Sequence, residues 1–205
     1  VRPSARAGGR GALATPGAVA TLAVSFAMAV GFGCIDASLA ATARDVLHDE
    51  SLIGVLFTAI AGGSAVGGLV YGARHVPVHV ERRHLPVLLG VFAAGLAPLS
   101  PLLHAGRPSL WAFLPLLFLA GLSIAPALLI QQSLVDATTA PDRNGEAQAW
   151  LSTSHTTGGA AGTALAGVLL DQAGVSWSLG GAAVAVAGAA AGAVSAQRWW
   201  RAATG

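Results

Sequence analysis

Polar and hydrophobic positions along this chain alternate in long blocks, not at the short period of a half-buried strand or surface helix. Six apolar stretches occupy residues 18–41, 52–72, 85–103, 110–135, 147–170 and 177–194. A helix needs about 20 predominantly apolar residues to cross a bilayer, and each stretch is near that length. A helix also satisfies its own backbone donors and acceptors, as a lipid-embedded segment must. The pattern therefore predicts an all-α, polytopic membrane protein with six transmembrane helices. The last stretch is Ala/Gly-rich and the shortest, but Trp177, Trp199 and Trp200 flank it, and Trp favours the headgroup region.

Charge confirms the segmentation and gives it a direction. Arg44, Asp45, Asp49 and Glu50 separate the first two spans, and the stretch from Arg74 to His84 separates the next two. Arg107, the run from Asp136 to Glu146, and Asp171 mark the remaining turns. The chain has no Lys, so its 11 basic residues are all Arg. Nine of them (Arg2, Arg6, Arg10, Arg74, Arg82, Arg83, Arg143, Arg198 and Arg201) fall on the side of the N-terminus, and only Arg44 and Arg107 fall opposite. Basic residues in short loops collect on the cytoplasmic face, which predicts a cell-membrane protein with both termini cytoplasmic. An odd number of spans would have scrambled this asymmetry.

Composition points the same way. Of 205 residues, 54% are hydrophobic and 10% charged, where a soluble domain carries about 25% charged residues. The 27 Gly residues would weaken water-exposed helices, yet in a bilayer they let helices approach closely. The formal charge of +2 is spread over loops and chain ends, which gives no clustered patch for nucleic acid. A single Cys34 excludes an internal disulfide and gives no metal-ligand spacing; neither metal nor cofactor is expected. Arg2, Arg6 and Arg10 before an apolar run resemble a signal peptide, but residues 18–35 exceed its core of about 7–15 residues, so they form the first span.

Polar residues inside the spans are the functional candidates. Asp36 is the single Asp, Glu or Arg within them, and an intramembrane charge costs at least about 2.5–3.5 kcal/mol. Its distance along the first helix, roughly 27 Å at 1.5 Å per residue, sets a substrate or proton role against simple hydration at the outer interface. His155 lies near the midplane of the fifth span in the run Ser152-Thr153-Ser154-His155-Thr156-Thr157. Hydroxyls can bond back to their own helix, and an imidazole with a pKa near 6.5 can exchange protons. His155, Ser152 and Thr156 are thus candidates for substrate or proton contact, with an interhelical hydrogen bond the structural alternative. Gln131 and Gln132 close the fourth span beyond Pro115 and Pro126; they suit either a polar substrate or the membrane interface. Gly63 and Gly67, Gly68 and Gly72, and Gly158 and Gly162 are each four apart, which places each pair on one helix face for close packing or gating. Ser64 with His155 raises an intramembrane serine protease of the rhomboid type. Val66 follows Ala65 where that motif has Gly, and the arrangement of base and oxyanion donors that a nucleophilic Ser needs is not evident.

Two stretches carry a family resemblance. The first is Gly62-Gly63-Ser64-Ala65-Val66-Gly67-Gly68-Leu69-Val70-Tyr71-Gly72-Ala73-Arg74, followed by Arg82-Arg83; the second is Pro141-Asp142-Arg143-Asn144-Gly145-Glu146-Ala147-Gln148-Ala149-Trp150-Leu151. Together they resemble the C-terminal six-helix half of major facilitator superfamily transporters of the drug or sugar efflux kind, over roughly residues 15–200. Arg74, Arg82 and Arg83 would form the basic cytoplasmic loop. Tyr71 or Gly72 stands where the family's loop motif has an acidic residue, a departure that bears on an ion-pair gate. The resemblance implies a half bundle of two inverted three-helix repeats, with the first, second, fourth and fifth spans lining a cavity.

On this basis residues 1–17 form a basic cytoplasmic lead like an interdomain loop, residues 18–194 the bundle, and residues 195–205 a cytoplasmic tail. The expected function is secondary transport, not enzymatic catalysis: export of a small molecule by alternating access, with protons as the candidate coupling ion. A twelve-helix transporter encloses its cavity between two halves. The expected partners are therefore lipid, substrate and a second six-helix half or a second copy of this chain. The alternative is a non-transporting remnant or interaction subunit.

Overall fold

The computed structural model describes residues 15–74, 78–104 and 110–204, and among these every regular element is helical. Helix α1 (Pro16–Ala41) begins where extended Thr15 accepts a hydrogen bond from the Ala18 amide, with Pro16 at the first helical position. A π-helical turn, Thr42–Val46, carries it to the loop before α2 (Leu52–Gly72). In that loop Asp49 Oδ1 accepts the Ser51 amide at 2.9 Å and the Ser51 hydroxyl at 2.6 Å, which holds the Asp49 carboxyl below its ordinary range.

The third and fourth spans are each broken in two. The third consists of α3 (Val78–Leu96) and α4 (Leu99–His104), and the fourth of α5 (Leu110–Gly121) and α6 (Ile124–Thr138). Proline explains both breaks, because it cannot donate to the carbonyl four residues earlier. Pro98 and Pro101 sit at the first break. Pro126 deprives the Leu122 carbonyl of its helical partner at the second, where Ser123 Oγ instead caps the Ala120 carbonyl at 2.8 Å. Helices α7 (Asn144–Ala173) and α8 (Val175–Thr204) complete the bundle. They are joined at Gly174, whose φ of 86° and ψ of 178° belong to a region that is essentially glycine-only.

The six-span expectation holds. Five spans are long and apolar enough to cross a membrane, and α7 is long enough but polar through its middle. The ends differ from the sequence reading where charge begins before the helix stops. Helix α3 starts at Val78 and includes Glu81, Arg82, Arg83 and His84, while α8 continues to Thr204 through residues assigned to the tail. Long basic side chains can reach water from a helix end, so apolar content understates helix length there. Residues 1–14, with Arg2, Arg6 and Arg10, and also Arg107, lie outside the described residues.

Packing reveals an internal symmetry. Helix α1 packs mainly on α7 and α8, the α5–α6 span packs on α2 and α3, and α3 packs on α8. Replacing α1, α2 and α3 by the α5–α6 span, α7 and α8 returns the same set of contacts. A repeat of three spans inverts the next repeat in the membrane, so this is the pattern of two inverted repeats. The seams are duplicated as well. Added Cβ atoms at Gly158 and Gly162 of α7 would strike the carbonyl oxygens of Phe26 and Val30 on α1. Those at Gly63 and Gly67 of α2 would strike the Phe118 and Leu122 carbonyls. Gly68 faces the Ala125 methyl at 2.9 Å, and Gly72 meets nothing. Four of the six singled-out glycines therefore set backbone-to-backbone contacts. Inside, Met28, Leu39, Phe92, Phe113, Leu117 and Trp200 are fully buried, whereas Leu69, Trp111 and Val184 point outward, as a lipid-facing surface allows.

Candidate functional site

The α1–α7 seam leads to the candidate site. Helices α1 and α7 run in parallel, since Phe26 lies against Gly158 and Val30 against Gly162. One turn farther along α1, Gly33 meets the backbone of Gly159 and Thr163. Any side chain at Gly33 would push the helices apart, so glycine here brings the flanking polar residues to one place. A cavity of about 420 Å³ opens beside this contact, lined by Ala29, Phe32, Gly33 and Asp36 of α1, Leu128 of α6, and His155, Gly159 and Thr163 of α7.

The lining follows helical spacing. His155, Gly159 and Thr163 are four apart, and Ala29, Phe32, Gly33 and Asp36 follow a spacing of three and four, so each set is a single face. His155 precedes the Gly159 contact by one turn and Asp36 follows the Gly33 contact by about one turn. Because the helices are parallel, these two ionisable groups occupy opposite ends of one cavity. His155 is half-buried and Asp36 exposed. Thr163 Oγ1 lies between them, donating to the Gly159 carbonyl at 3.1 Å and reaching the Gly33 carbonyl at 3.5 Å. An imidazole, a carboxylate and a hydroxyl on otherwise apolar walls can orient a small polar or cationic group and exchange a proton with it.

The other candidates divide. Ser152 and Thr156 are exposed beside the cavity, and the Thr156 hydroxyl bonds back to the Ser152 carbonyl at 3.0 Å. Thr153 and Thr157 bond back similarly, so α7 presents hydroxyls outward without leaving their protons unpaired. Gln131 is fully buried elsewhere: its Oε1 accepts the Ser25 hydroxyl and its Nε2 lies 3.0 Å from Met28 Sδ. That bond ties α6 to α1, while Gln132 faces outward. Ser64 belongs to the α2–α5 seam, where its amide faces Gly121, and it does not line the His155 cavity. At the basic end, Arg82 is buried and Arg74 and Arg83 are exposed. The Tyr71 hydroxyl lies 3.5 Å from His84 Nδ1.

Sequence reasoning missed Thr163 and the Phe32–Gly33 wall. Thr163 is two turns from His155 on the same face, a spacing that would have found it. Gly33 gave no such signal, because its role depends on which helix lies opposite.

A polytopic bundle of inverted three-helix repeats, with a partly polar cavity at mid-helix, is the architecture of a membrane transporter domain. The sequence matches the family model of the Major Facilitator Superfamily over residues 21–203, and the chain belongs to that family. It is a multi-pass membrane protein of a transporter family, not of an enzyme family, and its helices are suited to a lipid bilayer. No curated protein and no solved structure matches the chain.

Proposed function

We propose that this chain is one half of a secondary transporter that exports a small molecule by alternating access, with the cavity between α1, α6 and α7 forming part of the substrate and proton path. The observation that carries this reading is the convergence of His155, Asp36 and Thr163 on one cavity, beside the outward hydroxyls of α7. A membrane helix that turns Ser and Thr outward at mid-length is better matched to water or protein than to acyl chains. A second six-helix bundle, supplied by a partner chain or a second copy, would close the open side. The glycine seams of α1–α7 and α2–α5 would keep each helix pair together while bundles rock. The arginine bias supports placing both termini in the cytoplasm of a cell whose plasma membrane holds the protein. Residues 1–17 would then act as a cytoplasmic lead, and the charged end of α8 as the tail.

The test is flux in proteoliposomes containing an entrapped pH dye, with ethidium as an amphipathic cation probe and labelled glucose as a sugar probe. Particle size is measured in the same lipid. The reading expects one probe to move with a proton gradient in preparations containing two associated bundles, and expects His155→Ala to lower flux at least tenfold and flatten its pH dependence. Unchanged flux and pH dependence in His155→Ala would remove that residue from the mechanism. Flux by a strict monomer would remove the need for a second bundle.

A further inference from the structure

The start of α3 and the end of α8 carry four arginines, Arg82, Arg83, Arg198 and Arg201. Gln197 Nε2 of α8 donates to the Arg82 carbonyl of α3 and lies 3.3 Å from the Ala193 carbonyl, which locks the two helix ends together. Arg82 lies near enough to Arg83 and Arg201 for their charges to repel. Arg198 stacks over the Trp199 ring, with the guanidinium carbon 4.4 Å from its centroid. This end of α8 is held in place, because buried Trp200 donates from Nε1 to Thr21 Oγ1 at 3.0 Å and to the Gly17 carbonyl at 3.2 Å. These contacts hold the arginine-bearing ends of α3 and α8 in fixed positions.

A groove leads from the same place into the membrane. It lies between α1 and α8, has a volume of about 190 Å³, and ends at Ser195 and Trp199. Its walls include Ala23, Ala27, Gly188 and Gly192, and an added Cβ at Gly188 would meet nothing within 4 Å. Small residues along two packed helices leave an apolar furrow, and the Trp199 ring that lines its end carries Arg198 on its face.

We propose that this end of the bundle is a binding site for an anionic phospholipid, with the phosphate on Arg198, Arg201 and Arg83 and one acyl chain along the α1–α8 groove. Guanidinium groups match phosphate oxygens in bidentate geometry, and basic pockets between membrane helices suit anionic headgroups. Charge complementarity at the mouth and an apolar furrow below it together select a lipid over a soluble anion. The general excess of arginine on this face would give only diffuse attraction, which every arginine there would share.

The experiment uses the full chain in detergent, with thermal unfolding followed by tryptophan fluorescence while phosphatidylglycerol, phosphatidylcholine of the same chains, or inorganic phosphate is added. Phosphatidylglycerol is expected to raise the midpoint saturably and well above phosphatidylcholine, and inorganic phosphate to leave it unchanged. Arg198→Gln combined with Arg201→Gln should abolish the difference between the lipids, whereas Arg143→Gln in the α6–α7 loop should preserve it. Gly188→Leu, which fills the groove without touching the charges, should raise the lipid concentration at half-saturation at least tenfold. Equal responses to the two lipids would overturn the proposal, as would a full response to phosphate alone. So would wild-type saturation in Gly188→Leu, or an equal loss of selectivity in Arg143→Gln.

Discussion

Replacing Gly162 by Ala tests how the bundle is held. The added methyl would lie 2.8 Å from the Val30 carbonyl carbon and 2.9 Å from its Cα, and closer still to its oxygen. Comfortable carbon contacts are about 3.5–4.0 Å. All three neighbours are backbone, so no rotamer change relieves the clash, and α7 must retreat from α1 by roughly 1 Å. Overpacking of this kind costs about 1–3 kcal/mol. An opposing gain of about 1 kcal/mol arises because Ala favours helix over Gly. Gly167→Ala supplies the reference, since it lies in the same helix and its added Cβ meets nothing within 4 Å. The propensity gain is then common to both variants, and their difference isolates the clash at about 1–3 kcal/mol. The duplicated seam repeats the experiment, with Gly67→Ala striking Leu122 and Gly72→Ala meeting open space. The assay is reversible unfolding in mixed micelles, titrated with denaturing detergent and followed by tryptophan fluorescence. Equal stability of Gly162→Ala and Gly167→Ala would refute the reasoning, because the seam would then not be limited by backbone contact.

Two further substitutions probe single interactions. Ser25→Ala removes the buried donor to Gln131 Oε1; a double-mutant cycle with Gln131→Leu, read by the same unfolding assay, should give a coupling of about 0.6–1.7 kcal/mol. Gly174→Ala places a side chain at a φ of 86° and should destabilise the α7–α8 junction by about 1–3 kcal/mol, measured against Gly167→Ala.

Much of the fold was legible because the bilayer imposes long apolar blocks. The starts of α1 and α2 fall within two residues of the apolar boundaries, since Pro16 and the Asp49–Ser51 turn coincide with the change in polarity. Helix α3 was harder, because Glu81, Arg82, Arg83 and His84 interrupt apolarity without interrupting helix. The site was half legible. Asp36 and His155 stood out as polar residues in apolar surroundings, yet their meeting in one cavity depends on α1 and α7 packing through Gly33, Gly158 and Gly162. Local spacing identifies faces, but it does not say which faces oppose. For the same reason Gln131 was indistinguishable from Gln132, although one is buried against Ser25 and the other faces outward.

The proposed transport path requires the α7 hydroxyl face to border water, not lipid, at mid-membrane. Single cysteines at Thr156 of α7 and at outward Val184 of α8 can be compared in the full chain, because the native Cys34 is fully buried and contributes no background. In proteoliposomes treated with a membrane-impermeant, water-dependent thiosulfonate, Thr156→Cys should react at least tenfold faster than Val184→Cys. Equal and negligible labelling at both positions would contradict water access to the α7 hydroxyl face.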